Sequence, residues 1–430
     1  MRKLRMPTAE CNQALRVFAI GIAALFAASG RAQEWTRFRG PNGQGISSAR
    51  TIPIRWTESD YNWKIKLPGG GHSSPVVWGD KVFVTAGDPN GNRGLLLAVS
   101  VSDGKVLWQK EYSLARYRMN SLNSYASATP AVDADNVYVL WPTAEKTNLA
   151  AVSHDGNEVW SRSFAGVHCQ HGAGGSPIIV DDIVVFAHEQ ELPESSAESV
   201  WIAVDRKSGQ TRWTVKRQTS QKSSYSTPCV YSAGEEPPQL IFSSRAHGIT
   251  SIKPSTGAVL WEASSAFTDR VVSSPVIAGE IIIATSGEGD SGRRLIAIRP
   301  AGKGKSAEPT EAYKIDGSSA PYVPTSLAIG ELLFAFYNQG QVCCLQSATG
   351  KELWREKVPG KFYGSPVWVD GRLYCITTAG DVLVIKAAPT YELLAINPLG
   401  EKSHATPAVA GERMYLRTYS HLICIGGKKE

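Results

Sequence analysis

Apolar residues along this chain fall in short runs separated by polar turns, and the runs recur at a regular distance. A representative stretch is Ser74-Pro75-Val76-Val77-Trp78-Gly79-Asp80-Lys81-Val82-Phe83-Val84. It reads as a hydroxyl residue, a proline, a β-branched run, a turn and a second apolar run. Runs this short, bounded by Gly and Asp, predict β-strands joined by tight turns. The same element starts at Thr129-Pro130, Ser176-Pro177, Thr227-Pro228, Ser274-Pro275, Thr325-Ser326, Ser365-Pro366 and Thr406-Pro407. Eight copies spaced about 47 residues apart have the period of a propeller blade.

A second element closes each unit. Glycine stands four residues before tryptophan in Gly104/Trp108, Gly156/Trp160, Gly209/Trp213, Gly257/Trp261 and Gly350/Trp354. A small residue stands ten before it: Ala98, Ala150, Ala203, Ser251 and Cys344. Tyr313 and Leu394 are expected in the Trp position of two degenerate copies. The glycine permits the turn into the outer strand. The indole then lies against a neighbouring blade, burying on the order of 200 Å2. The predicted fold is therefore all-β, an eight-bladed propeller, whose radial closure leaves only short sheet edges. Its last copy stops after three strands, so Trp63-Lys64-Ile65-Lys66 is expected to supply the missing outer strand and lock the ring. Together with Trp63, the docking set is Trp108, Trp160, Trp213, Trp261 and Trp354. Residues 34–62 form an N-terminal arm and 63–430 the propeller, with Gly69-Gly70-Gly71 expected as a flexible lead-in.

The first 33 residues read differently. Arg2, Lys3 and Arg5 precede an apolar run from Val17 to Ala28 and small residues up to Ala32, the pattern of a cleaved signal peptide. The run is shorter than the about 20 residues that span a bilayer. A periplasmic or secreted chain is expected, monomeric and without a transmembrane segment once cleaved. Much of the formal charge of +6 lies in this leader, where Arg16 and Arg31 add to the basic residues against Glu10. The remainder is near neutral with no basic run, which argues against a nucleic-acid partner. Beyond the leader stand Cys169, Cys229, Cys343, Cys344, Cys375 and Cys424. All but the first lie in strand-like segments, as buried thiols do.

The run Ala203–Trp213 resembles the tryptophan-docking motif of the quinoprotein (PQQ-like) eight-bladed propellers, and Ala98–Trp108, Ser251–Trp261 and Cys344–Trp354 are similar. The segment from Trp35 through Phe38-Arg39-Gly40-Pro41-Asn42-Gly43-Gln44-Gly45 resembles a leader of secreted PQQ-like propellers from planctomycete-type bacteria. The resemblance implies one of two roles: a PQQ-dependent alcohol dehydrogenase, or a BamB-type binding propeller that assists outer-membrane protein assembly through protein contacts. The dehydrogenases are longer and hold PQQ and Ca2+ beneath loops, with a disulfide between adjacent cysteines and an Asp base. Here Cys343-Cys344 sits within a strand, where neighbours face opposite sides. Non-catalytic binding of a protein, small molecule or carbohydrate is expected, with neither metal nor cofactor; an oxidoreductase using PQQ with Ca2+ is the alternative.

In a four-stranded blade the loops preceding each inner strand converge on one mouth of the channel. Three residues before the Pro position stand His72, Ser127, Gly174, Tyr225, Val272, Val323, Tyr363 and His404, with Tyr125, His168, His171, Arg270 and Tyr322 nearby. The candidate ligand-binding set is His72, Tyr125, His168, His171, Tyr225, Arg270, Tyr322, Tyr363 and His404, with Arg270 available for an anion. His188 is expected near the same face. His168 and His171 lack the helical spacing and further ligands of a zinc site. Asp88, Glu189 and Asp290 are expected to be solvated rather than to bind Ca2+. No catalytic residue is assigned.

Overall fold

The computed structural model describes residues 34–88, 91–117, 119–192, 197–289, 291–302 and 307–427; the leader and Asp290 lie outside them. Among these residues the chain forms an eight-bladed propeller, seven blades containing four consecutive antiparallel strands and the eighth three, with its fourth supplied from ahead of the first blade. The first blade runs Val76–Trp78, Lys81–Gly87, Arg93–Ser100 and Val106–Ser113 from the channel outward. In the eighth, Ala408–Ala410, Arg413–Arg417 and His421–Gly426 are completed by Trp63–Lys66. The closing strand pairs antiparallel with the last one, Trp63 opposite Cys424 and Lys66 opposite His421. First and last segments are thus joined by main-chain hydrogen bonds.

The repeated hydroxyl before each inner strand has a physical purpose. The backbone N–H of Ser74 donates to Thr129 Oγ1, Thr129 to Ser176, Thr227 to Ser274, Ser274 to Thr325, Thr325 to Ser365 and Ser365 to Thr406. Thr406 donates back to Ser74 Oγ, carrying the belt across the seam between last and first blades. These bonds span 2.9–3.2 Å. They satisfy buried main-chain donors that no sheet ladder reaches.

The outer strands dock as the Gly/Trp spacing predicts. The indole N–H groups of Trp63, Trp108, Trp160, Trp213 and Trp354 donate to Val101, His154, Arg206, Pro254 and Ala388 carbonyls in the following blade. Tyr313 does the same through its hydroxyl to Ser347 O. Trp261 departs, donating to Gln239 Oε1 of its own blade. Leu394 does not occupy the Trp position. The strand register slips between Val384 and Ile385, and Ala395 faces Val384 as Trp213 faces Ala203. The missing ring comes from the arm: Trp56 stacks on Tyr374 at 6.5 Å, comparable to Trp354 against Phe334 at 6.2 Å. Asn397 holds it there, accepting from Trp56 N–H and donating to Ile54 O.

The Gly69–Gly71 lead-in is packed rather than flexible. Gly70 exchanges two main-chain hydrogen bonds with Gly87, and a Cβ on Gly70 or Gly71 would fall within 2.5 Å of Tyr419 or Arg417. The arm itself crosses the bore. Trp35 pairs with Val77 of the first blade and Thr36 O accepts from Val132 of the second. Arg37 donates to Pro228 O, and Asn42 exchanges two bonds with Val230 of the fourth blade. Arg39 donates to Thr325 O and Ser326 O of the sixth, and Ile46–Ser47 adds a parallel strand to the seventh beside Val367–Val369. Arg39 is fully buried, and burial lowers its guanidinium to about 9. Gly40 turns with φ +68, and its missing Cβ leaves room for the Trp35 ring, which would otherwise stand 2.5 Å away. Only glycine fits that site.

Candidate functional site

Where the arm blocks the bore, a cavity of about 380 Å3 remains, open on the face that carries the loops before the inner strands. All eight pre-strand residues, from His72 to His404, line it, and Phe38 of the arm contributes to its wall. His72, His171, Tyr225, Arg270, Tyr322, Tyr363 and His404 of the candidate set are brought together. Tyr125 and His168 are not among the lining residues. Tyr125 packs edge-on against Tyr117 at 5.1 Å and donates to its carbonyl. His168 is exposed, its main-chain N–H held by Gln190 Oε1. His188 ends its strand buried away from the lining, Nε2 donating to Ala165 O.

Sequence reading missed Phe38, Asn120 and Asn338 in the lining. Asn338 lies in the turn between strands Leu332–Tyr337 and Gln341–Gln346, a loop type that opens on this face, so blade counting could have found it. Phe38 had no such signal, because its position depends on arm contacts with blades far along the chain.

Aromatic rings from three successive blades form a continuous wall. Tyr363 lies 4.9 Å from His404, His404 stacks on His72 at 4.4 Å, and Tyr419 follows 5.6 Å from His72. Burial pushes the His72 imidazole down to about 3, with His404, Arg417 and Lys402 adding repulsion. Burial likewise lowers His404, opposed by its bond to Leu122 O, and lowers His171 beside Arg270. These rings are neutral at physiological pH.

Arg270 is not available for an anion. Its Nη2 donates to Glu191 Oε1 at 2.7 Å, with both side chains at most 4% exposed. Glu191 also accepts from Ser223 Oγ and Gln170 N–H, so it ties loops of successive blades together. Glu288, the acid in the lining, pairs with Lys222 at 2.5 Å.

The His72 shift has a sign that can be checked. The unfolded chain takes up this proton near 6.5, the folded chain only near 3. Unfolded molecules therefore bind more protons in between, so the stability is whole above pH 6.5 and lost progressively as pH falls. Near pH 5 the loss attributable to His72 should be about 2 kcal/mol. Urea midpoints at pH 7 and pH 5 should converge in His72→Asn; an unchanged pH dependence would remove the assignment.

A PQQ molecule brings several carboxylates, and its Ca2+ takes about six to eight oxygen ligands. Among the described residues no three His, Cys, Asp or Glu side chains gather as a metal set. Glu191 and Glu288 are committed to cations, and half-buried Glu189 is engaged by Trp201 and Ser224. Cys343 and Cys344 are free thiols packed in two different core clusters. The residues present do not fit PQQ with Ca2+.

No helix among the described residues is long and apolar enough to cross a membrane. In comparisons with known proteins, the family model described as outer membrane protein assembly factor BamB matches residues 54–190, 92–333 and 323–425. BamB of Alkalilimnicola ehrlichii is 33% identical over 146 residues, covering 33% of this chain and 32% of that protein, so the match spans about a third of the relative. The crystal structure of Moraxella catarrhalis BamB superposes with a TM-score of 0.57 at 13% identity, covering 86% of this chain and 97% of the other. Quinohemoprotein alcohol dehydrogenase from Comamonas testosteroni gives 0.61 at 13% identity, covering 94% and 82%. Identities this low speak to the shared fold alone. With the family model matched from the arm to the final blade, the chain belongs to the BamB family of PQQ-like eight-bladed propellers.

Proposed function

We propose that this protein is a non-catalytic binding scaffold of the cell envelope, exported by its leader, that recognises its partner with the face carrying the cavity. The observation that carries this reading is the preformed cavity whose charged lining residues, Arg270 and Glu288, are already paired within the fold. Efficient general acid–base catalysis needs a group that titrates near the working pH, and burial pushes His72 down to about 3 and lowers His171 and His404 as well. This cavity offers aromatic faces, amides and neutral imidazoles instead, which suits recognition. The relatives named as outer membrane protein assembly factors support a protein partner of the envelope.

The test places a photo-crosslinking residue at Leu122, an exposed member of the cavity lining, and at Val259, exposed on the outer strand of the fourth blade. Crosslinks to an envelope protein are expected from Leu122 and not from Val259. Equal crosslinking from both would overturn the assignment of the face. In parallel, purified protein given PQQ, Ca2+ and a dye acceptor should show no alcohol-dependent dye reduction; saturable turnover would replace this reading with an oxidoreductase.

A further inference from the structure

Three guanidinium groups stand behind the cavity with no acid to offset them. Arg37 donates to Pro228 O, Arg39 to Thr325 O and Ser326 O, and Arg417 to Ser73 O. Each of these contacts lies within one residue of the lining, at Thr227, Thr325 and Ser74. All three arginines are buried, and no carboxylate among the described residues pairs with them. Burial lowers Arg37 to about 10 and Arg39 and Arg417 to about 9, so each remains a cation at neutral pH. Their charge reaches the wall, where Arg417 adds to the burial that holds His72 neutral. Buried charges in proteins are ordinarily paired. Arg270 and Glu288 in the lining already have Glu191 and Lys222, so the balance left to the cavity is positive.

Hydrogen-bond donors line the same side. Thr227, Ser274 and Thr325, on the fourth, fifth and sixth blades, face the cavity where Arg37 and Arg39 back it. The oxygens of Ser274 and Thr325 each accept one belt N–H. A hydroxyl is also a donor, and neither O–H meets an acceptor among the described residues. Thr227 Oγ1 takes part in no hydrogen bond among them. It is not sealed off, since the oxygen keeps accessible surface on a residue that lines the cavity. A cation placed here would be repelled. A carboxylate is met best by the planar fork of an arginine, and Arg270 is given to Glu191. Separate O–H donors set along an arc instead suit an ion whose oxygens point in several directions.

On these grounds we infer that the cavity binds a tetrahedral oxyanion of the phosphate class, hydrogen-bonded by the hydroxyls of Thr227, Ser274 and Thr325 and held by the field of Arg37 and Arg39 behind them. The inference rests on the binding reading of the same cavity. The volume of about 380 Å3 admits either the free ion or a phosphoryl group carried on a larger molecule.

Titration calorimetry and phosphorus NMR on the whole mature protein provide the test, in chloride buffer at constant ionic strength. The probes are inorganic phosphate, glycerol 3-phosphate, acetate and choline. One or both phosphate probes should bind saturably, with acetate and choline at least about tenfold weaker. Equal or tighter binding of inorganic phosphate assigns the site to the free ion; tighter binding of glycerol 3-phosphate assigns it to a phosphoryl group on a larger molecule. Thr227→Val should weaken binding about tenfold and leave the unfolding midpoint unchanged, because that hydroxyl bonds to nothing in the fold. Arg39→Lys, which keeps the charge, should bind phosphate more tightly than Arg39→Gln; if either fails to fold, Thr227→Val decides alone. Absence of saturable binding by both phosphate probes, tighter binding of acetate or choline, or unchanged affinity in Thr227→Val overturns the inference. If Leu122 still crosslinks selectively in that case, the scaffold reading stands and only the oxyanion falls.

Discussion

Trp213→Ala should lower the unfolding free energy by about 3–5 kcal/mol, the cost of removing a large buried ring and leaving a cavity behind. The indole is 7% exposed, donates to Pro254 O at 2.7 Å and lies on the turn of the next blade at Gly257. Substitution there thus removes one of the contacts that join the third and fourth blades, beside the Trp201–Phe242 stack and the Arg217–Glu262 pair. Gly257→Ala attacks the same joint from the other side. Its Cβ would stand 2.9 Å from the Trp213 ring, at a φ of +74 that side chains resist. The two changes touch one contact, so they should not add: once Trp213 is gone, Gly257→Ala retains only its backbone strain. Urea unfolding followed by tryptophan fluorescence measures all three variants. A loss of less than about 1 kcal/mol for Trp213→Ala would mean that the docking indoles do not hold the blades together.

Glu191→Ala should cost a similar about 3–5 kcal/mol, for a different reason. It leaves the buried Arg270 guanidinium without its carboxylate, and it frees Ser223 and the Gln170 N–H at the same time. Replacing both partners by apolar residues of similar size removes the stranded charge. Glu191→Leu with Arg270→Met should therefore be much less destabilised than Glu191→Ala, and less than the two single changes would suggest. The same urea series checks this. A double variant as unstable as Glu191→Ala would show that the remaining hydrogen bonds, and not the charge, carry the effect.

Legibility followed the range of the contacts. The eight hydroxyl-proline starts, the Gly/Trp spacing and the completing strand at Trp63–Lys66 are local patterns repeated along the chain, so their placement could be read directly. The pre-strand residues needed only blade counting, and all eight reach the cavity. Errors arose where one residue decides a register. Leu394 was expected where Ala395 stands because the turn between Ile385 and Leu393 is one residue longer than its counterpart between Leu345 and Glu352, and a one-residue shift moves a strand's side chains to the other face. Tyr125 and His168 lie in loops whose own hydrogen bonds turn them from the cavity. Nothing in their spacing records those bonds.

From sequence alone came the blade count, the seam at which the ring closes and the ring of positions facing the mouth, because each rests on a short motif that folds the same way in every copy. Tertiary structure alone decided that the arm crosses the bore, that Trp56 supplies a ring missing from the seventh blade, and that Arg270 is spent on Glu191. Those pairings join groups tens to hundreds of residues apart, often through main-chain carbonyls that every residue possesses. A linear sequence carries no mark of which carbonyl an arginine will meet.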